Sequence, residues 1–341
     1  MRSQQWDIRA RSGRARSPEL GPILSDGTDG PDHTLALELV RVTEAAAIAA
    51  GRWVGHGDDD AGGAAALAAM HEYILPVPMR GVVVLGSQRT DGAPALSKGA
   101  VIGDGTGPAC DVGVSVGEAA LSTARDVPHA ITAIAVAERG AMYDPPPAVP
   151  MQKLVVGADH ADVVDIHRPV AENLRAIAAV KGCTPSDVTV AVLNRPRHRD
   201  LVRDIREAGA RVHLVEGGEV AGAVAAAHPD SPIDVLLGTG GGEEGVLAAA
   251  ALTCIGGSLQ ALLRPEGADR RESVRRDADR VLRTEDLVRG GRILFCATGV
   301  TSNELLRGVG HYPDRTTTES TVMCSTPGIV RSVRSEHQAV G

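Results

Sequence analysis

Three short stretches hold most of the residues that could do chemistry. Asp58, Asp59 and Asp60 follow Gly57. Clustered carboxylates in a glycine-flanked loop suit a hard cation such as Mg²⁺, which takes oxygen ligands. The same residues also read as a solvated acidic turn capping a helix, and from the loop alone that is the better reading. Gly238-Thr239-Gly240-Gly241-Gly242-Glu243-Glu244-Gly245 lies between an apolar run and a helical pattern. Its backbone N–H groups can face a phosphate. Glu243 and Glu244 complement a helix start or hold a cation equally well, and the Lys-Ser/Thr ending of a P-loop is missing. Arg195-Pro196-Arg197-His198 puts two guanidiniums and an imidazole just past an apolar run. That is either a phosphate clamp or a solvated basic turn, and the residues do not choose between them. No G-x-S-x-G is present, so nucleophilic serine chemistry has little support.

The elements that must carry these loops are legible from apolar spacing. Asp32 is placed to cap a helix running to about Trp53, and Ala61–Ile74 reads as a second helix. Apolar runs at Gly81–Leu85, Asp111–Val116, Ala130–Val136 and Lys153–Val156 read as strands. The next stretch alternates: strand Val188–Leu193, helix Leu201–Ala208, strand Val212–Val215, helix Glu219–Ala227, strand Val235–Leu237, helix Glu243–Ala251. Such alternation implies a mostly parallel sheet flanked by helices, with ligand loops at the carboxyl ends of its strands. The charged stretch Glu266–Arg280 reads as an exposed helix, Arg292–Cys296 as a buried strand and Thr316–Val333 as a closing strand pair. Residues 1–31 have no periodicity and read as a disordered extension.

Composition narrows the partners. The 341 residues are 43% hydrophobic but only 2% aromatic. The core must therefore be Ala, Val, Leu and Ile, and stacking platforms for bases are nearly absent. A net charge of −8 argues against nucleic acid and anionic membranes as main partners. A small phosphorylated ligand needs only a few local cations and stays open. Five cysteines with no C-x-x-C spacing fit reduced thiols in the cytoplasm better than a disulfide framework. No apolar run is long enough to span a bilayer.

Taken in order, several motifs resemble the class II fructose-1,6-bisphosphatases of bacteria. They are Arg41-Val42-Thr43-Glu44 with Trp53 and Gly57-Asp58; Asp91-Gly92-Ala93-Pro94; Lys153-Leu154-Val155-Val156-Gly157; Arg195-Pro196-Arg197-His198; Gly240-Gly241 with Glu244-Gly245; Leu282-Arg283 with Glu285-Asp286; and Ala297-Thr298-Gly299. The match runs from Asp32 to His337. The resemblance implies a layered α/β/α/β/α sandwich of the lithium-sensitive sugar-phosphatase type. It divides the chain into an α/β part at 32–157 with metal motifs and another at 158–341 with substrate-phosphate loops. It also implies phosphomonoester hydrolysis of a sugar phosphate assisted by Mg²⁺ or Mn²⁺, and a homo-oligomeric state, dimer or tetramer.

Carried over by position, the resemblance makes Asp58, Glu118 and Glu244 the metal ligands. It makes Glu118, Ala119, Ala120, Arg195, Arg197, His198, Glu219 and Gly241 the substrate contacts. The departures are large. Gly86-Ser87-Gln88-Arg89 stands where the family has Gly-Glu-Gly-Glu, and Ser115-Val116-Gly117-Glu118-Ala119-Ala120 where it has Asp-Pro-x-Glu-Gly-Thr. Ser87 and Ser115 thus replace acids with neutral hydroxyls, and Arg89 would repel a cation. Three functions follow as alternatives: a phosphatase working with a reduced metal site, a phosphosugar-binding pseudophosphatase, or another reaction on a phosphosugar. In the second, Arg89 could neutralise phosphate in place of the metal; simple decay of the site needs fewer coincidences.

Overall fold

The computed structural model describes residues 30–31, 33–58, 60–86, 96–116, 128–265, 277 and 280–338. A 3-10 turn at His33–Leu35 leads into α1 (Ala36–Gly51), and α2 (Ala61–Ile74) follows. Next come β1 (Arg80–Leu85), β2 (Val101–Ile102), β3 (Ala109–Ser115), β4 (Ile131–Glu138) and β5 (Met151–Val156). Helix α3 (Val170–Lys181) precedes an alternating run: β6 (Thr189–Leu193), α4 (Arg199–Glu207), β7 (Arg211–Val215), α5 (Glu219–Ala227), β8 (Val235–Gly240) and α6 (Gly242–Ile255). The remainder is β9 (Ser258–Leu263), β10 (Leu282–Arg283), α7 (Thr284–Leu287), β11 (Ile293–Gly299), β12 (Gly310–His311), β13 (Arg315–Cys324) and β14 (Ile329–Gln338).

The strands form two sheets. The first has the order β12-β13-β11-β4-β3-β1-β2, with β14 paired along β13. The second has the order β10-β9-β5-β8-β6-β7. Three hydrophobic cores define the layers. One face of the first sheet, through Val112, Ile134 and Leu294, packs on α1 and α2. One face of the second, through Leu154, Val190 and Leu237, packs on α3 and α4. Between the sheets lie α5 and α6, which meet Ala135 and Phe295 on one side and Val155 and Leu236 on the other. The order of layers is therefore helix, sheet, helix, sheet, helix, as the resemblance implies.

A helix covered by sheets on two sides cannot keep a polar stripe or wide side chains. Every residue of α5, Glu-Val-Ala-Gly-Ala-Val-Ala-Ala-Ala, is buried, and a Cβ on Gly222 would lie 3.0 Å from Leu236 Cδ1. In α6 a run of four alanines, Ala248–Ala251, is buried. This is why a chain so poor in aromatics still closes its core: the middle layer needs small residues. At its far end α6 stops at Gly256, in the left-handed region at φ 76°, which an L side chain rarely adopts.

The expectation of a mostly parallel sheet is corrected. Parallel pairing is confined to β1 with β3 and to β7-β6-β8; the other pairings are antiparallel. Strand-helix alternation marks only the β6–β8 stretch, and there the strands do run parallel. Elsewhere apolar runs reveal strands but not their direction. Helix α3 and strand β9 have no counterpart in the sequence expectations. The first helix starts at Ala36 after the 3-10 turn, with Leu35 as its cap residue, rather than at Asp32, which lies outside the described residues. So do residues 1–29 and most of Glu266–Arg280. No helix among the described residues is long and apolar enough to cross a membrane.

The middle layer should tolerate added volume poorly. Ala250→Leu is expected to destabilise the protein by about 1–3 kcal/mol through overpacking. Leu37→Ala, at a position 67% exposed, should stay within about 0.5 kcal/mol of the parent. Urea unfolding compares the two.

Candidate active site

The glycine loop after β8 is built by close approach. A Cβ on Gly240 would fall 1.9 Å from Glu219 Oε2, and one on Gly241 1.9 Å from Glu244 Oε2. A Cβ on Gly242 would sit 2.6 Å from Pro145 Cβ, and one on Gly245 2.5 Å from Met151 Sδ. Any side chain there would displace a carboxylate, the proline stretch or the strand beneath. Helix α6 begins from this loop, and Gly241, Gly242, Glu243 and Glu244 at its start line a cleft of about 700 Å³. The proline-rich stretch Pro145–Pro150 forms one wall; Gln152, Arg197, Arg264 and residues 239–244 form the rest.

Beneath the loop lies Lys153 on β5, 2% exposed. Its ammonium donates to Glu219 Oε1 and to the carbonyl of Gly241, the latter at 2.6 Å. Glu244 stands beside this pair. Burial first, and then the negative charge of Glu219, push its carboxyl above the ordinary glutamate range. Two carboxylates thus share one ammonium, and Glu244 is short of positive charge. That is the electrostatic condition under which a carboxylate gains from a divalent cation, so Glu244 fits one arm of a Mg²⁺ or Mn²⁺ site.

The family model described as bacterial fructose-1,6-bisphosphatase, glpX-encoded, matches residues 33–337. The chain belongs to this family. Among its relatives, fructose-1,6-bisphosphatase class 2 of Haemophilus influenzae is 35% identical over 322 residues, covering 90% of this chain and 96% of the relative. Fructose-1,6-bisphosphatase 1 class 2 of Escherichia coli K12 is 34% identical over 319 residues, covering 89% and 95%.

Against this class II fructose-1,6-bisphosphatase family, the expected site residues fall into three groups. Arg197, Glu219, Gly241 and Glu244 come together at the cleft or directly beneath it. Arg197 donates from Nε to the Thr239 carbonyl at 2.8 Å, fixing its guanidinium at the rim. Arg195 and His198 are placed otherwise. Arg195 turns its guanidinium to the Asn194 carbonyl, 2.9 Å away. His198 is buried with both ring nitrogens engaged: Nε2 accepts from the Thr239 N–H at 2.9 Å and Nδ1 donates to the Leu193 carbonyl at 2.8 Å. It ties β6 to the end of β8 and so shapes the glycine loop from behind.

Asp58 accepts from the N–H groups of Asp60 and Ala61, at 3.0 and 2.9 Å, and starts α2. The capping role is therefore present. Ser115 is buried at the end of β3. Ser87, Arg89, Glu118, Ala119 and Ala120 lie outside the described residues. Around the cleft, no three His, Cys, Asp or Glu donor atoms among the described residues lie within 4.8 Å of one another.

Two features were not legible as site residues. Lys153 stands in an apolar strand, and only its partners at the starts of α5 and α6, Glu219 and the Gly241 carbonyl, explain it. Arg264 reaches the cleft wall by donating from Nε to Gln152 Oε1 at 2.8 Å. Two family motifs also meet: the Thr298 hydroxyl donates to Thr43 Oγ1 at 2.8 Å, and the Thr132 hydroxyl to the Thr43 carbonyl at 2.8 Å. Their role is to join α1 to β4 and β11.

Lys153→Met should be costly, because it leaves Glu219 and Glu244 facing each other without the ammonium. A loss of about 3–5 kcal/mol is expected from breaking a buried pair. The double variant Lys153→Met/Glu219→Leu should recover most of it, read from urea midpoints of both proteins.

Proposed function

We propose that this chain binds a phosphorylated sugar in the cleft between Pro145–Pro150 and the glycine loop, and hydrolyses its phosphomonoester slowly. The observation that carries the reading is one cleft holding two guanidinium side chains, Arg197 and Arg264, beside a carboxylate short of positive charge, Glu244. Guanidiniums and helix N–H groups suit phosphate oxygens. Glu244 would hold one side of a Mg²⁺ or Mn²⁺ ion, which supplies Lewis-acid polarisation of a phosphoryl oxygen when bound. Membership of the class II fructose-1,6-bisphosphatase family supports fructose-1,6-bisphosphate as the first substrate to try. All five cysteines are free, in keeping with a cytoplasmic protein.

Slow turnover follows from the chemistry at β3. Ser115 offers a neutral hydroxyl where the family pattern has an acid, and a neutral ligand attracts a divalent ion far less than a carboxylate. Losing one well-placed catalytic group costs about a hundredfold or more in rate.

The test pairs catalysis with binding. Phosphate release from fructose-1,6-bisphosphate with Mg²⁺ or Mn²⁺ should run at least about a hundredfold below the Escherichia coli relative assayed alongside. The same ligand should still raise the melting temperature, and Arg197→Ala should weaken that binding about tenfold. Fast, chelator-sensitive turnover would overturn the slow-enzyme reading. A melting temperature indifferent to the sugar phosphate would overturn the binding one.

A further inference from the structure

Away from the cleft, two imidazoles from separate stretches converge on one carboxylate oxygen. His129, in the turn before β4, holds Nε2 3.0 Å from Glu304 Oε1. His213, on β7 at the edge of the second sheet, holds Nε2 2.8 Å from the same atom. The three donor atoms lie within 4.8 Å of one another, and no other trio of His, Cys, Asp or Glu among the described residues does so. The imidazoles meet edge to face with centroids 5.9 Å apart.

Hydrogen bonding alone accounts poorly for this arrangement. Nε2 of His213 is buried and has no hydrogen-bond partner, although Glu304 Oε1 is 2.8 Å away: the contact lies outside donor geometry. Nδ1 of His129 is also buried and unpartnered. Buried polar atoms left unsatisfied are uncommon, and each calls for an explanation. The backbone is strained at the same point. His129 has φ 81°, in the left-handed region, a conformation that persists only where its surroundings enforce it. Gly218 leaves room for it: a Cβ there would come 2.4 Å from the His129 carbonyl oxygen. The His129 N–H in turn donates to the Ser302 carbonyl, two residues before Glu304.

We propose that His129, His213 and Glu304 bind one Zn²⁺ ion, with water completing its coordination. Two imidazoles and one carboxylate form a known zinc donor set. Zinc bonds of about 2.0–2.1 Å put tetrahedral donors roughly 3.3 Å apart; the two spacings onto Glu304, 3.0 and 2.8 Å, need open by only a few tenths, and the two imidazole donors already lie within 4.8 Å of each other. Imidazole nitrogen favours zinc over Mg²⁺, which takes oxygen. This site is therefore separate in chemistry and place from the cation position at Glu244. The ion clips β7 of the second sheet to the turn before β4 and the loop after β11.

The test uses the full chain, stripped with a chelator and then exposed to Zn²⁺ or Mg²⁺. Equilibrium dialysis with elemental analysis should give one Zn²⁺ per chain, and the melting temperature should climb with Zn²⁺ but not with Mg²⁺. His213→Ala changes a partly exposed side chain on an edge strand and should fold. It and Glu304→Gln should each lower zinc affinity at least tenfold, while Cys183→Ser, which removes the one thiol that is not buried, should not. Zinc stoichiometry and affinity unchanged in both ligand variants would overturn the proposal. So would a parent protein that retains no zinc, since the cluster would then be held by protons alone.

Discussion

The spacing between the two sheets governs the rest of this molecule. Two helices fill it, and each touches a sheet on both sides, so their width sets how near the sheets come. That constraint selects alanine and glycine along α5 and α6. It also puts the first turns of both helices at the same edge of the layer. Glu219 begins α5 and Glu244 lies in the first turn of α6, so the two carboxylates are brought side by side by packing. Lys153 rises from the strand between them and keeps the arrangement from tearing itself apart electrostatically. The charge at the cleft is thus a by-product of how the middle layer is built.

Much of this was legible from residue types. The Ala61–Ile74 and Glu219–Ala227 helices fall where apolar spacing puts them, and the five-layer order follows from the family resemblance. Strand direction was not legible. The run Lys153–Val156 looks the same whether its neighbours are parallel or antiparallel, because direction depends on which distant strands flank it. Helix α3 was missed although Leu174, Ile177 and Ala178 recur at helical spacing and are buried against the second sheet; it stands outside the regular strand-helix alternation that marks the stretch after it. At the cleft stand Arg197, Gly241 and Glu244, which the loop chemistry left open and the resemblance singled out. His198 looked like their equal in sequence, yet its imidazole serves the backbone. Only three-dimensional placement separates a histidine that meets ligand from one that braces the loop meeting it. The His129, His213 and Glu304 cluster had no sequence signal at all, since its members are spread across three elements with no fixed spacing.

The strand pairing of the first sheet has a consequence for how the chain is made. Strand β4 sits beside β11, with Ile131 opposite Gly299, and β11 is in turn covered by β13. The second sheet draws most of its strands from one continuous middle stretch. During synthesis from the amino end, that middle portion can therefore close first. The early strands β1, β2, β3 and β4 can pair among themselves, but the outer edge of β4 must stay open until β11 and the hairpin that covers it have left the ribosome. Contacts between such distant segments form slowly and leave surface exposed to aggregation meanwhile. The late closure of the first sheet thus follows from topology rather than from the chemistry of the cleft.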